Sequence, residues 1–378
     1  MSIGNRPVRL GAALAAFALI AVTSVGSVLG QSSQSANAQL KHVFVIMLEN
    51  HSYSSVIGND NAPFMNSLAD EYGLATNYYG VTHPSLPNYV AAISGSTWFV
   101  NDDQPTHRFD HTNLVDQLEA SHHTWAAYME SMPEAGYTGD QAPGSTELYV
   151  SKHNPFILFD DIRNSAARRA NIKPYADFSS DMAAGKVADF VWITPNQCHD
   201  MHGGIYGKVG ENDGTPCPYG NAKDDANDAA LKQKADDFVN GAVTAIMSSK
   251  AWTGNSVIFI MTDENDYNGA NGDIDNWDSA AGCCDSPILP TGYVFLDKHG
   301  HPDGYTLVCP DGETSCTYGG GQIPAIVVTT NGVRHYTSDT AYNHFSLLRT
   351  IEQNWHLGYL GNASDGAQVK SMNEFLVH

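Results

Sequence analysis

The stretch His42-Val-Phe-Val-Ile-Met-Leu48, followed directly by Glu49-Asn50, decides the fold of this chain. A nearly continuous apolar run without alternation predicts a strand buried on both faces, as in a parallel sheet covered by helices. Polar residues begin where this strand ends. Because ligands bind beyond the carboxyl ends of strands in open α/β sheets, we expect Glu49 and Asn50 to lie at a functional edge.

Further strand-like and helical runs alternate along the rest of the chain. The strand-like runs are rich in Val, Ile and aromatic residues and cover Thr124–Met129, Phe190–Thr194, Val257–Thr262 and Ile323–Thr329. The helical patterns cover Ala62–Tyr72, Thr112–His122, Ala226–Ser248 and His344–Asn354. This alternation predicts an α/β fold, a three-layer sandwich with a mostly parallel central sheet and helices on both faces.

The N-terminus has the layout of a secretory signal. Two arginines precede the apolar run Leu10–Leu29, and Ala36-Asn37-Ala38 is a small-residue cleavage motif. An uncleaved membrane anchor is the alternative, because the run approaches the length that spans a bilayer. We expect residues 1–38 to be a signal peptide and residues 39–378 a single domain. The mature protein is then secreted or periplasmic, with no stable membrane span.

The composition restricts the partners of the protein. Its 378 residues carry a formal net charge of −22. Such a surface repels nucleic acid and anionic lipid, so we expect no nucleic-acid partner. A site that handles phosphate in this acidic chain needs a local positive centre, and a bound metal ion is the natural candidate.

The chain has six cysteines, an even number that suits an oxidising compartment. Cys309 and Cys316 are close enough in sequence to close a short loop, whereas the other four leave several pairings open. Residues 265–322 are rich in Gly, Asn and Asp, lack periodicity and carry four of the cysteines. We expect a loop-rich insertion stapled by disulfides, which acts as a lid or a decoration.

A second stretch, Thr82-His83-Pro84-Ser85-Leu86-Pro87-Asn88-Tyr89, places one hydroxyl between two prolines. Proline fixes its own φ and restricts the residue before it, so Ser85 is expected in a constrained turn. Asn88 is expected to open the helix that follows. A helix N-terminus suits an anion such as phosphate, so the stretch predicts a nucleophile at an anion site, and hence a hydrolase.

Side chains at the strand ends supply candidate metal ligands. Glu49, Asn50, Asp263 and Glu264 offer hard oxygen donors for a divalent metal ion, and Ser85 would complete the coordination. A metal there lowers the pKa of the serine hydroxyl and neutralises charge that builds up on a phosphoryl group.

Histidines and amides near these ligands are candidates for substrate contacts. His202 shares a strand-end loop with Asp200, and His83 lies two residues before Ser85. Two others, His153 after Lys152 and His344 at a helix start, have catalytic and structural interpretations of similar weight. The predicted substrate-binding residues are Asn88, which would hold a non-bridging phosphoryl oxygen, His83 and Asp200.

Seven sequence pieces occur in a fixed order through the mature chain. They are Glu49-Asn50-His51-Ser52-Tyr53, Ala62-Pro63-Phe64-Met65-Asn66-Ser67-Leu68, Thr82–Tyr89, Lys152-His153-Asn154-Pro155-Phe156, Pro195-Asn196 with Asp200-Met201-His202, Thr262-Asp263-Glu264, and His344-Phe345-Ser346-Leu347-Leu348 with Ile351-Glu352. As a set, these pieces resemble the secreted phosphoesterase family of bacteria, within the alkaline-phosphatase-like superfamily. That family includes acid phosphatases and phospholipases C, and the small secreted acid phosphatases are the most similar.

The resemblance implies a secreted, metal-dependent phosphomonoesterase with an alkaline-phosphatase-like fold. It implies that Ser85 is the nucleophile and forms a phosphoseryl intermediate. By position it assigns metal binding to Glu49, Asn50, Asp263 and Glu264, phosphate holding to Asn88, and active-site roles to His202, His153 and His344. The chain departs from the family pattern in three places. An arginine is usual at His51, His199-Asp200 is followed by Met-His-Gly-Gly rather than Met-His-Asp-Gly, and the segment after Glu264 is longer.

Three other functions compete with this interpretation. A phosphodiesterase or phospholipase C would use the same site, and the expected substrate is therefore a phosphorylated small molecule or a lipid head group. A sulfatase is disfavoured because Tyr89 replaces the arginine of the sulfatase motif. A binding protein on a degenerate phosphatase scaffold is disfavoured because the candidate nucleophile and metal ligands are all present.

Overall fold

Strand β1, His42–Leu48, is buried along its whole length and lies inside the main sheet. A computed structural model describes residues 39–142, 147–204, 209–220, 224–265, 281–296, 302–306, 309 and 313–376. The predicted signal peptide, residues 1–38, lies outside the described residues. None of the helices in the described part of the chain combines the length and the hydropathy that crossing a membrane requires.

The strands are β1 His42–Leu48, β2 Gly73–Tyr79, β3 Trp125–Met129, β4 Ile172–Pro174, β5 Phe190–Thr194, β6 Ser256–Thr262, β7 Ile288–Pro290, β8 Val294–Leu296, β9 Pro302–Thr306, β10 Ser315–Thr317, β11 Gln322–Thr329, β12 Tyr336–Ser338 and β13 Tyr342–Asn343. The helices are α1 Tyr53–Val56, α2 Pro63–Glu71, α3 Ser85–Ser94, α4 Leu114–Ala120, α5 Asp160–Arg163, α6 Ala166–Arg169, α7 Phe178–Ala184, α8 Ala226–Ser248 and α9 His344–Asn354.

The main sheet has the order β12-β2-β11-β6-β1-β5-β3-β4, and β13 pairs with β2. Only β11 runs antiparallel to its neighbours, β2 and β6, and the other pairs of this sheet are parallel. Strands β1, β2, β5 and β6 therefore end at the same edge. The predicted mostly parallel sheet is confirmed.

Alternate residues of β1 pack on opposite faces of the sheet. Val43, Val45 and Met47 lie in one apolar cluster with residues of α3, α4 and α9. Their neighbours Phe44, Ile46 and Leu48 lie in a second cluster with residues of α1, α2, α7 and α8. Because apolar side chains leave water on both faces, the near-continuous apolar run is explained, and the three-layer α/β sandwich is confirmed.

Helix α3 begins at Ser85, so the expectation that Asn88 opens this helix is wrong. Pro84 precedes the helix in an extended conformation. Pro87 lies in the first turn, where a backbone N–H would have no partner within the helix, so proline is tolerated there. The predicted nucleophile thus occupies the first helical position.

Strand β2 was not predicted from the sequence. Thr76 and Asn77 interrupt its apolar run, and both side chains are half-buried. They donate hydrogen bonds to the backbone carbonyls of Ser338 and Asp339, at 2.9 and 3.1 Å. Partners that are distant in sequence therefore stabilise this strand, and local patterning carries little signal for it.

The insertion contains more regular structure than expected. Within its described residues, β7 pairs with β10 and β8 pairs with β9, both antiparallel. The expected Cys309–Cys316 disulfide is present, and the other cysteines pair as Cys198–Cys217 and Cys283–Cys284. The first of these two disulfides lies outside the insertion and joins the loop after β5 to the segment before α8.

One buried carboxyl outside the predicted site is expected to make the stability of the protein depend on pH. Glu352 of α9 is fully buried, and its Oε1 accepts a hydrogen bond from the N–H of Leu360 at 2.8 Å. Its Oε2 and the Oε1 of Gln117 are buried and have no hydrogen-bond partner among the described residues. Burial raises the pKa of Glu352 to about 8.

We expect Glu352→Gln to remove part of the loss of stability at alkaline pH. Because the folded-state pKa lies above the unfolded value, this stabilisation is complete below about pH 4.5 and is lost as pH rises through about 8. The resulting change in the free energy of unfolding is of the order of 3 kcal/mol. Urea unfolding at pH 5 and pH 8 measures it, with the exposed Glu134→Gln as control. Equal pH dependence of unfolding in both variants would contradict the assignment.

Candidate active site

Four strand ends bring the predicted site residues together at one edge of the sheet. The N–H of Glu49, after β1, donates to the carbonyl of Asp200, after β5, at 2.7 Å. The N–H of Asp263, after β6, donates to the carbonyl of Leu48 at 3.0 Å. The turn after β2 delivers Ser85 to the same place, as its contacts show.

Ser85 is the centre of this cluster. It is 1% exposed. Its hydroxyl donates to Glu49 Oε2 at 2.9 Å and to Glu264 Oε1 at 3.1 Å. The oxygen therefore lies at the start of α3, between carboxylates from two different strands. A helix N-terminus on one side and acidic groups on the other fix its position.

Four carboxyl groups are fully buried around Ser85: Glu49, Asp200, Asp263 and Glu264. Burial raises the pKa of each of them well above its ordinary value. For Glu49 and Asp263, neighbouring carboxylates add to this effect. Such a cluster is costly as a set of anions, so it favours either protons or a bound cation.

Asn50 links the strands through its backbone and its side chain. Its N–H donates to Asp263 Oδ1 at 3.1 Å, and its φ is 39°, a left-handed conformation that asparagine tolerates better than most residues. With its amide N–H₂ group turned toward the acids, it donates to Glu49 Oε2 at 3.0 Å and to Glu264 Oε1 at 3.2 Å. The opposite orientation directs its oxygen into the cluster.

The residues present fit a divalent metal ion. Asp263 Oδ2 is buried and has no hydrogen-bond partner in the described part of the chain, and Glu49 Oε1 and Asp200 Oδ2 are buried against the ring of His153. Carboxylate, amide and hydroxyl oxygens are hard donors that suit Mg²⁺, Ca²⁺ or Mn²⁺. The predicted ligands Glu49, Asn50, Ser85, Asp263 and Glu264 all belong to this cluster, and bound positive charge would relieve the repulsion among its acids.

A second group of possible ligands adjoins the first. Donor atoms of Glu49, His153 and His202 lie within 4.8 Å of one another, and all three residues are buried. His153 Nε2 is 3.1 Å from Glu49 Oε1, and its Nδ1 is 3.4 Å from Asp200 Oδ2. Its ring stacks on Tyr89, with centroids 5.4 Å apart. Glu49 therefore belongs to both groups.

Asp200 and His202 are held by their own loop. Asp200 Oδ1 accepts the backbone N–H of His202 at 2.7 Å, and His202 Nδ1 is 2.6 Å from the Gly203 carbonyl. That carbonyl fixes the hydrogen on Nδ1 and leaves Nε2 as an acceptor. Burial and the Lys152 charge lower the pKa of His202 to about 3, so the ring is neutral near pH 7.

The remaining predicted histidines contact the acidic cluster from its other side. His83 Nδ1 lies 2.5 Å from Glu264 Oε2. His344 Nε2 is 2.6 Å from the Asp263 carbonyl, and its Nδ1 is 3.3 Å from the Tyr78 hydroxyl. Because both of its ring nitrogens have partners, His344 supports the backbone of a predicted metal ligand.

Asn88 organises the turn before Ser85. Its Oδ1 accepts the N–H groups of Val81 and Thr82, at 2.8 and 3.1 Å. Its Nδ2 donates to the carbonyls of Thr82 and Pro84, at 2.7 and 3.2 Å. The predicted role of Asn88 in holding a phosphoryl oxygen stays a prediction, since its donors face the backbone in this structure.

Sequence reasoning missed two charged residues beside the site. Lys152 Nζ lies 2.7 Å from Asp103 Oδ2, and Asp103 Oδ1 accepts the N–H of Leu86, next to Ser85. Both line a cavity of about 230 Å³ together with His202. Lys152 belongs to the sequence piece Lys152-His153-Asn154-Pro155-Phe156 but was assigned no role, and no signal marked Asp103.

His51, the residue that departs from the family pattern, is part of a buried ion-pair network. Its Nε2 lies 2.7 Å from Asp228 Oδ1, and Lys232 Nζ lies 2.7 Å from the other oxygen of the same carboxylate. Burial works against ionisation of Asp228, but these two partners lower its pKa. The network fixes the loop after β1 to α8.

Sequence comparison identifies known proteins to which this chain is similar. The chain is 27% identical over 350 residues to a probable acid phosphatase of Kluyveromyces lactis, covering 88% of this chain and 62% of that protein. It is 29% identical over 207 residues to a phosphatidylinositol-3-phosphatase of Mycobacterium tuberculosis, covering 53% of this chain and 66% of that protein. The chain thus spans less than two thirds of either relative.

Structure comparison agrees on the fold. The phosphonate monoester hydrolase of Agrobacterium radiobacter superimposes with a TM-score of 0.50 at 11% identity, covering 89% of this chain and 77% of that one. The bacterial origin implied by the sequence resemblance is not supported, since the relatives include a fungal protein. The model of one family matches residues 59–213 and 218–358, most of the described chain. The chain belongs to the Phosphoesterase family.

Proposed function

We propose that this protein is a secreted, metal-dependent phosphomonoesterase of the acid phosphatase type that uses Ser85 as its nucleophile. One observation carries the proposal. The Ser85 hydroxyl lies at a helix N-terminus and donates to Glu49 and Glu264 within a buried cluster of acids. A purely structural serine would not need four buried carboxyl groups around it.

The reaction has two displacements on phosphorus. First, Ser85 Oγ bonds to phosphorus and the ester P–O bond breaks; the serine proton leaves on the alcohol, and the serine carries the phosphoryl group. Water then bonds to phosphorus, the seryl P–O bond breaks, one water proton returns to Ser85 Oγ and inorganic phosphate is released. The carboxylates of Glu49 and Glu264 accept the hydrogen bonds of Ser85 and orient its oxygen.

The cluster residues Glu49, Asn50, Asp263 and Glu264 would hold the metal. A divalent ion there supplies positive charge that lowers the pKa of the hydroxyl and offsets charge on the phosphoryl oxygens. His202 is the proposed base for the second displacement. It is neutral near pH 7, and its Nε2 is available as an acceptor because Nδ1 faces the Gly203 carbonyl.

The substrate is a phosphorylated small molecule or a lipid head group. The two relatives support this range, because one is a probable acid phosphatase and the other is a phosphatidylinositol-3-phosphatase. Three disulfides support an oxidising compartment and hence secretion. Recovery from the culture medium of a chain that begins at Gln39 tests the signal-peptide assignment; an intact N-terminus there would contradict it.

A substrate panel with metal add-back tests the proposal. The chelated protein receives Mg²⁺, Ca²⁺, Mn²⁺ or Zn²⁺ and is assayed with 4-nitrophenyl phosphate, bis-(4-nitrophenyl) phosphate and phosphatidylcholine. We expect at least about 100-fold recovery of monoester hydrolysis with one of these metals. Preferential cleavage of the diester or the phospholipid would favour a phosphodiesterase or phospholipase C. Full activity in chelator would refute metal dependence.

A further inference from the structure

The cavity of about 230 Å³ beside His202 has an unusual charge pattern. Its charged lining residues include three carboxylates, Asp103, Asp140 and Glu147, and a single ammonium group, that of Lys152. Among the described residues, this lysine is the only Lys or Arg that lines the cavity. An anionic substrate that enters the cavity therefore finds one Lys or Arg side chain among the described lining residues.

One hydrogen bond fixes the Lys152 ammonium and leaves it further N–H donors. Its one hydrogen bond goes to Asp103 Oδ2 at 2.7 Å, and an ammonium has three N–H donors. Two donors thus have no acceptor among the described residues. Its side chain is 17% exposed and lines the cavity, so the cavity gives a substrate access to this side chain.

Asp103 connects this cation to the predicted nucleophile. One carboxylate oxygen pairs with Lys152, and the other accepts the N–H of Leu86 at 3.0 Å, in the first turn of α3. The carboxylate of Asp103 therefore bridges the Lys152 ammonium and the backbone N–H of Leu86, the residue that follows Ser85.

We propose that Lys152 binds the non-bridging oxygens of the phosphoryl group and selects phosphomonoester dianions over phosphodiester monoanions. This inference rests on the proposed function. A monoester carries one more negative charge than a diester near neutral pH, so a fixed cation stabilises it more. Asp103 is a positioning residue: it holds Lys152 and partly neutralises it.

The experiment compares two esters with the same leaving group, 4-nitrophenyl phosphate and methyl 4-nitrophenyl phosphate. We expect Lys152→Met to lower kcat/KM for the monoester about 100-fold and for the diester less than about fivefold. Inhibition by inorganic phosphate weakens at least about tenfold. Lys173→Met is the matched control, since it removes a lysine whose Nζ also lies 2.7 Å from an aspartate, Asp181.

The Asp103→Asn variant distinguishes a role of Lys152 in substrate binding from a role in a structural ion pair alone. The amide oxygen still accepts the Leu86 N–H, but the competing negative charge is gone. We therefore expect the monoester preference to rise. If Lys152 only anchors a loop, Asp103→Asn and Lys152→Met lower the rates for both esters in parallel, which would overturn the inference. If the parent protein hydrolyses neither ester with metal present, the proposed function itself fails.

Discussion

Ser85→Ala is expected to lower kcat for 4-nitrophenyl phosphate by at least about 1000-fold. The hydroxyl is the predicted attacking atom, and no other hydroxyl occupies its position between Glu49 and Glu264 among the described residues. Phosphate release with saturating substrate and metal measures the effect. The loss should appear in kcat, since binding of the phosphoryl group does not require the Ser85 oxygen.

A serine of the same helix provides the control. Ser94 is also buried in α3, where its hydroxyl donates to the carbonyl of Val90 at 2.8 Å. Ser94→Ala therefore removes a hydroxyl from the same element without touching the acidic cluster. We expect its kcat to stay within about threefold of the parent. Equal losses in both variants would mean that Ser85 acts through the stability of the helix.

Asp263→Asn is expected to abolish metal-dependent hydrolysis and yet to stabilise the metal-free protein. The amide oxygen can still accept the N–H groups of Asn50 and Glu264, which lie 3.1 and 2.7 Å from Asp263 Oδ1. The change removes one negative charge from the buried acids. We therefore expect at least about 100-fold lower activity with metal, but about 2 kcal/mol more stability in chelator.

The same variant should change the pH dependence of unfolding. Burial and the charge of Glu264 raise the folded-state pKa of Asp263. Its contribution to stability is therefore complete below its unfolded pKa and is lost as pH rises through the folded one. Thermal unfolding from pH 4 to pH 8 in chelator measures this, with the exposed Asp110→Asn as control. A parent protein that is more stable than Asp263→Asn without metal would contradict the metal-site assignment.

The fold was predictable where the signal is local. The β1 run predicts a fully buried strand because both faces of a parallel sheet need apolar side chains, and its seven residues have the bounds predicted. Helices α8 and α9 also have their predicted bounds. Strand β2 was missed, because its polar centre is stabilised by hydrogen bonds to residues about 260 positions away, as for Thr76.

The candidate site was likewise predictable where the sequence signal is local and was missed where the contacts depend on tertiary packing. Residues at strand ends were found because parallel strands gather them at one edge, which is why Glu49, Asp200 and Asp263 were predicted together. Asp103 lies in a loop with no periodicity and reaches the site only through the packing of that loop on α3. Asn88 has an amide that suits phosphate binding, but its donors face backbone carbonyls. That orientation depends on the rotamer and on the geometry of the turn, which the sequence does not specify.

The most direct test of the central claim is to trap the phosphoryl group on the protein. The metal-loaded protein is mixed with 4-nitrophenyl phosphate, quenched in acid within milliseconds and digested for peptide mass spectrometry. We predict a phosphoryl group on Ser85 of the parent and none in Ser85→Ala. A parent protein that turns over substrate with no phosphoryl group on Ser85, or with one on another residue, would contradict the mechanism.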